Sequence, residues 1–395
     1  MGAMKNVPTD LIINVAFAAG LLFNGCFSTI SSKTAYQSFA VGIDNERHAF
    51  SKPWFQTLLM FLGMLVLLVM FVFEKVREYY GFLHAEDFKQ KNAAFWKYMV
   101  KSSIILMAPG LFDLTATGIS SMGLANPEVS SSVYQMLSGA VMVFSGLLSI
   151  IFLKTKLASF QWIGIVCCCI GLALVGLASF LPKLLFGDGI GDAKSLFIGM
   201  FDILLAQFLW SCQFVVEEFL LQTLDASAAQ VVGMEGLYGT IIMSVLVLPA
   251  LNILPGADAG KQENTLDTFV MLWNQPLIWI PNLMFLLVII GYNWCGQSVT
   301  KRLSCVHRTI LEACRSLFVW VVSVAIFYFC KIFGLASFGE GLTLFSIIQL
   351  AGFIVLTIGS LVHNEVIKIP GLHYGEGSSA GDKEPLVEED ETALE

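Results

Sequence analysis

Apolar residues in this chain do not alternate with polar ones; they gather in long blocks. About 20 apolar residues cross the hydrocarbon core of a bilayer as a helix. Ten blocks meet that length: 11–32, 53–73, 101–123, 128–152, 159–181, 195–221, 227–250, 277–298, 304–330 and 342–364. The pattern predicts an all-α, polytopic membrane protein with ten transmembrane helices. The third, fourth, sixth and ninth blocks are the least apolar. Polar positions inside a bilayer must face neighbouring helices or a watery cavity, so these four are expected to line something. The first block shows no small-residue cleavage site and is read as a retained helix.

Composition removes the soluble alternatives. Hydrophobic residues make up 56% of the 395 positions and charged ones 13%, about half the usual share of roughly 25%. So few charges cannot cover a soluble surface, which excludes a nucleic-acid binder, a disordered chain and an ordinary cytosolic enzyme. The formal charge of −8 falls to −1 without the last 20 residues, which hold eight acids and one Lys. The nine Cys lie in or beside apolar blocks, with neither disulfide nor zinc spacing. No cofactor and no metal are expected.

Basic residues set the expected sidedness. The two termini and the connections sharing their side hold 14 Lys and Arg, the opposite loops seven, and Arg315 lies within a helix. Both termini are therefore expected in the cytosol. The 33–52 and 251–276 loops would share the other face.

The chain also repeats itself. Gln-x-x-Gly-x5-Ile-Gly runs through Gln161, Gly164, Ile170 and Gly171, and again through Gln349, Gly352, Ile358 and Gly359. The preceding helices align Leu137 with Leu311, Phe144 with Phe318 and Ser149 with Ser323. Five spans per half is an odd number, so the halves would cross in opposite directions. This predicts a five-plus-five inverted repeat, an architecture of secondary transporters. Its expected units are 1–181 and 195–366, followed by a disordered acidic cytosolic tail at 367–395.

Between Phe112 and Gly176, "SSVYQMLSGAVMVFSGLLSIIFLKTKL", "QWIGI" and "GLALVG" resemble the drug/metabolite transporter superfamily, more narrowly solute carrier family 35, subfamily F. "PWFQT" (Pro53–Thr57), "VVEEFLL" (Val215–Leu221), "GMEGLYG" (Gly233–Gly239) and "SVTKRLS" (Ser298–Ser304) extend the likeness over residues 11–366. The resemblance implies a ten-helix inverted repeat that moves an organic solute in a lysosomal or late secretory membrane. It names no cargo.

Ionisable residues inside spans need local compensation, because a central charge costs about 2.5–3.5 kcal/mol on insertion scales. Asp113 follows Pro109-Gly110, where a kink is expected. Ser131, Gln135 and Ser138 share one face of the fourth span. They suit either a solute cavity or close helix packing. Gln213 on the sixth span and Glu235 on the seventh are further polar positions. Arg308, Glu312 and Arg315 form one stripe on the ninth, where Glu312 can pair with either Arg. A net positive charge remains for an anionic solute or for a carboxylate elsewhere. Asn24, Asn293 and Gln297 offer neutral hydrogen bonds. In the tail, Asp382, Leu386 and Val387 have the spacing of an acidic dileucine sorting signal, expected to meet sorting adaptors.

The resulting expectation is a secondary-active or facilitative transporter of a small organic solute, anionic or nucleotide-derived among the options. It would work by alternating access in a lysosomal or endolysosomal membrane, with the Golgi second. Partners would be the solute, the bilayer and the adaptors, with no nucleic acid. A second class of reading is a transport-inactive scaffold. Its basic 74–101 loop would lie on the bilayer.

Overall fold

The computed structural model describes residues 9–82, 88–152, 158–186, 190–221, 227–256, 258–302, 305–332 and 341–368. The tail residues Asp382, Leu386 and Val387 lie outside the described residues. Helix α1 (Thr9–Tyr36) leads into a small antiparallel hairpin, β1 (Phe39–Val41) and β2 (Arg47–Ala49), with Phe39 opposite Ala49. Then come α2 (Pro53–Phe82), α3 (Phe88–Ile105), α4 (Met107–Ala125), α5 (Ser131–Leu137) and α6 (Ala140–Phe152). They are followed by α7 (Ser159–Phe186), α8 (Ile190–Leu221), α9 (Ala228–Ile242) and α10 (Leu248–Ile253). Helices α11 (Thr265–Asn274), α12 (Trp279–Arg302), α13 (Cys305–Ile332) and α14 (Phe345–His363) complete the order. Among the described residues, ten helical runs are long and apolar enough to cross a membrane. They answer to the ten apolar blocks.

Three of these runs are interrupted, each for a local reason. The third breaks at Leu106, between α3 and α4. Pro109 has no N–H, and its ring crowds the carbonyl four residues back, so the expected kink lies one turn before it. The fourth breaks at Ser138-Gly139, where main-chain bonds tighten from Gly139 N to Met136 O and from Met142 N to Gly139 O. In the seventh, a π-helical turn spans Met243–Val247 just before Pro249. A missing proline N–H is absorbed there by one longer-range bond per residue.

The basic segment after residue 73 is helical on both sides of residues 83–87. Residues 74–82 continue α2, and residues 88–100 belong to α3, which runs on towards α4. Its polar side chains are compatible with helix, so the helices continue past the apolar blocks.

The repeated glycines have a packing role. Helix α7 lies against α14, and the motif glycines face one another across the contact. A methyl group at Gly164 would stand 2.8 Å from the Gly359 carbonyl oxygen, and one at Gly171 2.7 Å from that of Gly352. Small residues let membrane helices approach this closely, where dispersion replaces the hydrophobic effect as the attraction. The opposite face of α7 shows Val166, Ile170 and Leu177 outward, a surface suited to lipid. Elsewhere α1 packs on α12 and α13, α8 on α4 and α6, and α2 on α9 and α12, with α4 also on α9.

Candidate functional site

The stripe on α13 turns inward. Arg315 Nε lies 2.7 Å from Glu312 Oε2, with the side chains 13% and 25% exposed. The other carboxylate oxygen accepts a 2.8 Å hydrogen bond from the Tyr292 hydroxyl on α12. The guanidinium carbon stands 5.0 Å from the centroid of the same tyrosine ring, within reach of a cation–π interaction. Gly25 on α1 leaves the room, since a methyl there would overlap Arg315 and press on Tyr292 at 3.0 Å. A guanidinium ten residues beyond the start of α13 thus packs between helices.

Neighbouring polar groups join this arrangement. Ser316 on α13 donates to the main-chain carbonyl of Gln135 on α5 (3.2 Å), and Thr29 on α1 donates to the Gln135 side-chain oxygen (3.3 Å). The hydroxyls of Tyr134 and Ser120 lie 2.8 Å apart, tying α5 to α4. Four helices therefore meet around Arg315: α1, α5, α12 and α13. The Arg315–Glu312 contact is close but misaligned, leaving Nε and Oε2 without a hydrogen-bond partner among the described residues.

A second buried polar group lies on α4, α8 and α9. Asp113 Oδ1 accepts from Thr117 (3.1 Å) and from the Trp210 indole (3.1 Å). Gln213 donates to Glu235 at 3.3 Å. Gly110 brings the α4 backbone against Glu235, with a virtual methyl 3.6 Å from its Cα. Asp113 thus accepts from α4 and α8, and Glu235 on α9 accepts from α8.

Other predicted residues take quieter places. Asn24 and Asn293 donate to the carbonyls of Gly20 and Ile289, four residues back in their own helices. Ser138 does the same to Tyr134 at the break in its span. Gln297 is half-buried on α12, and Arg308 lies against Gly296 of that helix. Of the two pairings open to Glu312, the structure makes the one with Arg315. Tyr292, Thr29 and Trp210 were missed, because each acts through a partner on another helix. A tyrosine or tryptophan inside a span, with a polar tip to satisfy, is the signal that points to them.

Beyond the spans, the 254–275 segment closes over the hairpin. Lys52 donates to Asp258 and to Asp267, the latter at 2.7 Å. Glu263 accepts from the main-chain N–H groups of Trp54 (2.9 Å) and Phe55 (2.7 Å). Burial pushes its carboxyl up to about 7, against the pull of those N–H groups and Lys52. Burial would also raise Asp267, but Lys52, the Ile43 N–H and His48 outweigh it and hold that carboxyl below the usual range.

Known proteins with similar sequences point one way. The SLC35F profile of solute carrier family 35 matches residues 16–253. The human protein named solute carrier family 35 member F6 is 32% identical over 381 residues, covering 95% of this chain and 94% of its own. The mouse protein of that name is 32% identical over 363 residues, covering 90% and 88%. An uncharacterized protein of Schizosaccharomyces pombe is 23% identical over 273 residues, covering 69% and 77%.

Proposed function

The chain belongs to solute carrier family 35, and on that premise we propose that it moves a small organic solute with an anionic group past Arg315 by alternating access. As a family member with ten apolar helices it is a multi-pass membrane protein and a solute carrier. The Arg315–Glu312–Tyr292 group carries the more specific reading. It places a guanidinium, a carboxylate and a phenol between four membrane helices. The carboxylate is the guanidinium's resident counter-ion, and an anionic solute would take over that position. An arginine suits the task because its planar fork matches carboxylate and phosphate groups.

Alternating access needs two bodies, and the packing supports an inverted repeat with units 1–181 and 195–366. Exchanging each span for the one five later carries α1 on α12 into α8 on α4. It carries α1 on α13 into α8 on α6, and α2 on α12 into α9 on α4. The contacts of α2 with α9 and of α7 with α14 map onto themselves. In this reading both termini are cytosolic, following the basic residues. The home is a lysosomal or endolysosomal membrane, with the Golgi second, following the acidic dileucine spacing and adaptors that read it.

A melting screen tests the cargo class. Nucleotides, nucleotide sugars, amino acids and peptides are added in turn to purified protein. One anionic class should raise the Tm of the wild type and leave Arg315→Gln/Glu312→Gln unmoved. An equal rise in both proteins would remove Arg315 from the binding site.

A further inference from the structure

Helix α11 lies outside the ten spans, yet its polarity is reversed for a helix in water. A surface helix of a soluble protein turns charged and polar residues outward and apolar ones to the core. In α11 the inward face holds Asp267, Thr268, Met271 and Leu272, all buried. Asp267 is the one charged residue of the helix, and it is paired with Lys52. The outward face carries Leu266, Phe269 and Trp273 at i, i+3 and i+7, which are 62%, 54% and 87% exposed. The polar side chains are inside and the apolar stripe is outside.

Both ends of α11 are fixed where spans end. At its start, the Asn252 side chain on α10 donates to the Thr265 hydroxyl (2.6 Å) and accepts from the Thr265 N–H (3.1 Å). At its other end, a single 3-10 turn (Pro276–Ile278) leads directly into α12. Ten residues of helix cover about 15 Å, so α11 runs from the end of one span to the start of the next. In the middle, the Phe269 ring stands 6.2 Å from that of Phe55 in the first turn of α2. Three span ends thus set α11 at the level where the hydrocarbon stops. The exposed apolar surface continues through Leu277 into Ile280, Leu283 and Leu287, on the outward side of α12.

We propose that α11 is an interfacial helix, with Leu266, Phe269 and Trp273 seated in the phospholipid headgroup layer on the side where α1 ends. Helices of this kind lie in the plane of the membrane with the apolar face buried at the headgroup boundary. Tryptophan is enriched at that level because one end of its ring is apolar and the other donates a hydrogen bond. The charge beside the stripe fits the same partner. Arg47 on β2 lines an open cavity of about 730 Å³ together with Phe39, Leu277 and Ile280. A guanidinium at the edge of an apolar patch matches lipid phosphate. This goes beyond the transport reading and requires no solute.

Photo-crosslinking of the full chain in phosphatidylcholine nanodiscs tests this. Benzoylphenylalanine replaces Phe269 or Trp273 in turn, and Asp44 in the acidic turn of the hairpin as the solvent control. Illumination should add the mass of one phosphatidylcholine at position 269 or 273 and none at 44. No lipid addition at either apolar position overturns the proposal, as does equal addition at 44. A crosslinked dimer in place of the lipid adduct also overturns it, since a second copy would then be the occupant. If the variants do not fold, wild-type protein with a phosphatidylcholine carrying a diazirine beside its headgroup decides. The label should fall on residues 265–277 and spare 42–47; unlabelled 265–277 contradicts the proposal. None of these readings depends on transport, so a failed interfacial helix and a failed solute site remain distinguishable.

Discussion

Gly171→Ala isolates the contact that joins the repeated motifs. The added methyl would stand 2.6 Å from the Leu356 nitrogen and 2.7 Å from both the Gly352 oxygen and the Leu356 Cβ. Ordinary contact begins at 3.4 Å, so α7 and α14 must separate by about 0.7 Å or bend. Gaps of 0.5–1 Å forfeit roughly a quarter to a half of each dispersion contact. Overpacking of this kind costs about 1–3 kcal/mol, while replacing a helical glycine by alanine returns roughly 0.5–1 kcal/mol. A net loss of about 1–2 kcal/mol should lower the Tm of the detergent-solubilised protein by several degrees, read by fluorescence size-exclusion after heating. Gly176→Ala on the same helix is the control. Its new methyl meets only the mobile end of Met200, at 3.2 Å, so it should melt at or above the wild type. Equal Tm values for the two variants would refute the close-approach reasoning.

Arg315→Met should lower the Tm, because Glu312 is left without its counter-ion; breaking a buried pair costs about 3–5 kcal/mol and less where solvent reaches it. Adding Glu312→Gln should restore most of that loss, and a double variant no more stable than the single one would count against the pairing. Trp210→Phe removes one donor from Asp113 and should cost about 1–3 kcal/mol, measured as a drop in Tm that Thr117→Val deepens. Asp267→Asn should destabilise the protein at neutral pH, in a melting series from pH 7 to pH 3. The folded carboxyl titrates below its unfolded value, so its contribution is present above that value and is lost as pH falls through the folded one. The gap to wild type should close in acid.

Local properties were legible in the chain, and long-range ones were not. An apolar block declares itself within 20 residues, so the spans and the Pro109 break could be placed from the sequence. Helix α2 runs beyond its apolar block because Glu74–Tyr80 is helix-compatible though polar, and hydropathy alone does not see that. The spacing of Arg308, Glu312 and Arg315 put them on one stripe. That spacing left open which arginine pairs with Glu312, and it gave no sign of Tyr292 on α12, which donates to the same carboxylate. The glycines of the repeated motif could be recognised as a repeat, but their face-to-face contact required knowing that α7 meets α14. The Lys52 and Glu263 ties were out of reach, since each closes a separation of more than 200 residues. The sequence placed their loops on one side, and the structure brings those loops into contact.

Uptake by purified protein in liposomes tests the solute site most directly. The panel is radiolabelled nucleotides, nucleotide sugars and acidic amino acids, with empty liposomes as background. At least one anionic class should enter saturably. Arg315→Gln/Glu312→Gln, chosen because it leaves no unpaired charge, should raise the apparent KM about tenfold or more, the loss expected for a charged hydrogen bond. Arg315→Lys should raise it less, since Lys keeps the charge without the bidentate fork. Uptake indistinguishable from empty liposomes across the panel, or an unchanged KM in the double variant, would contradict a solute path through Arg315.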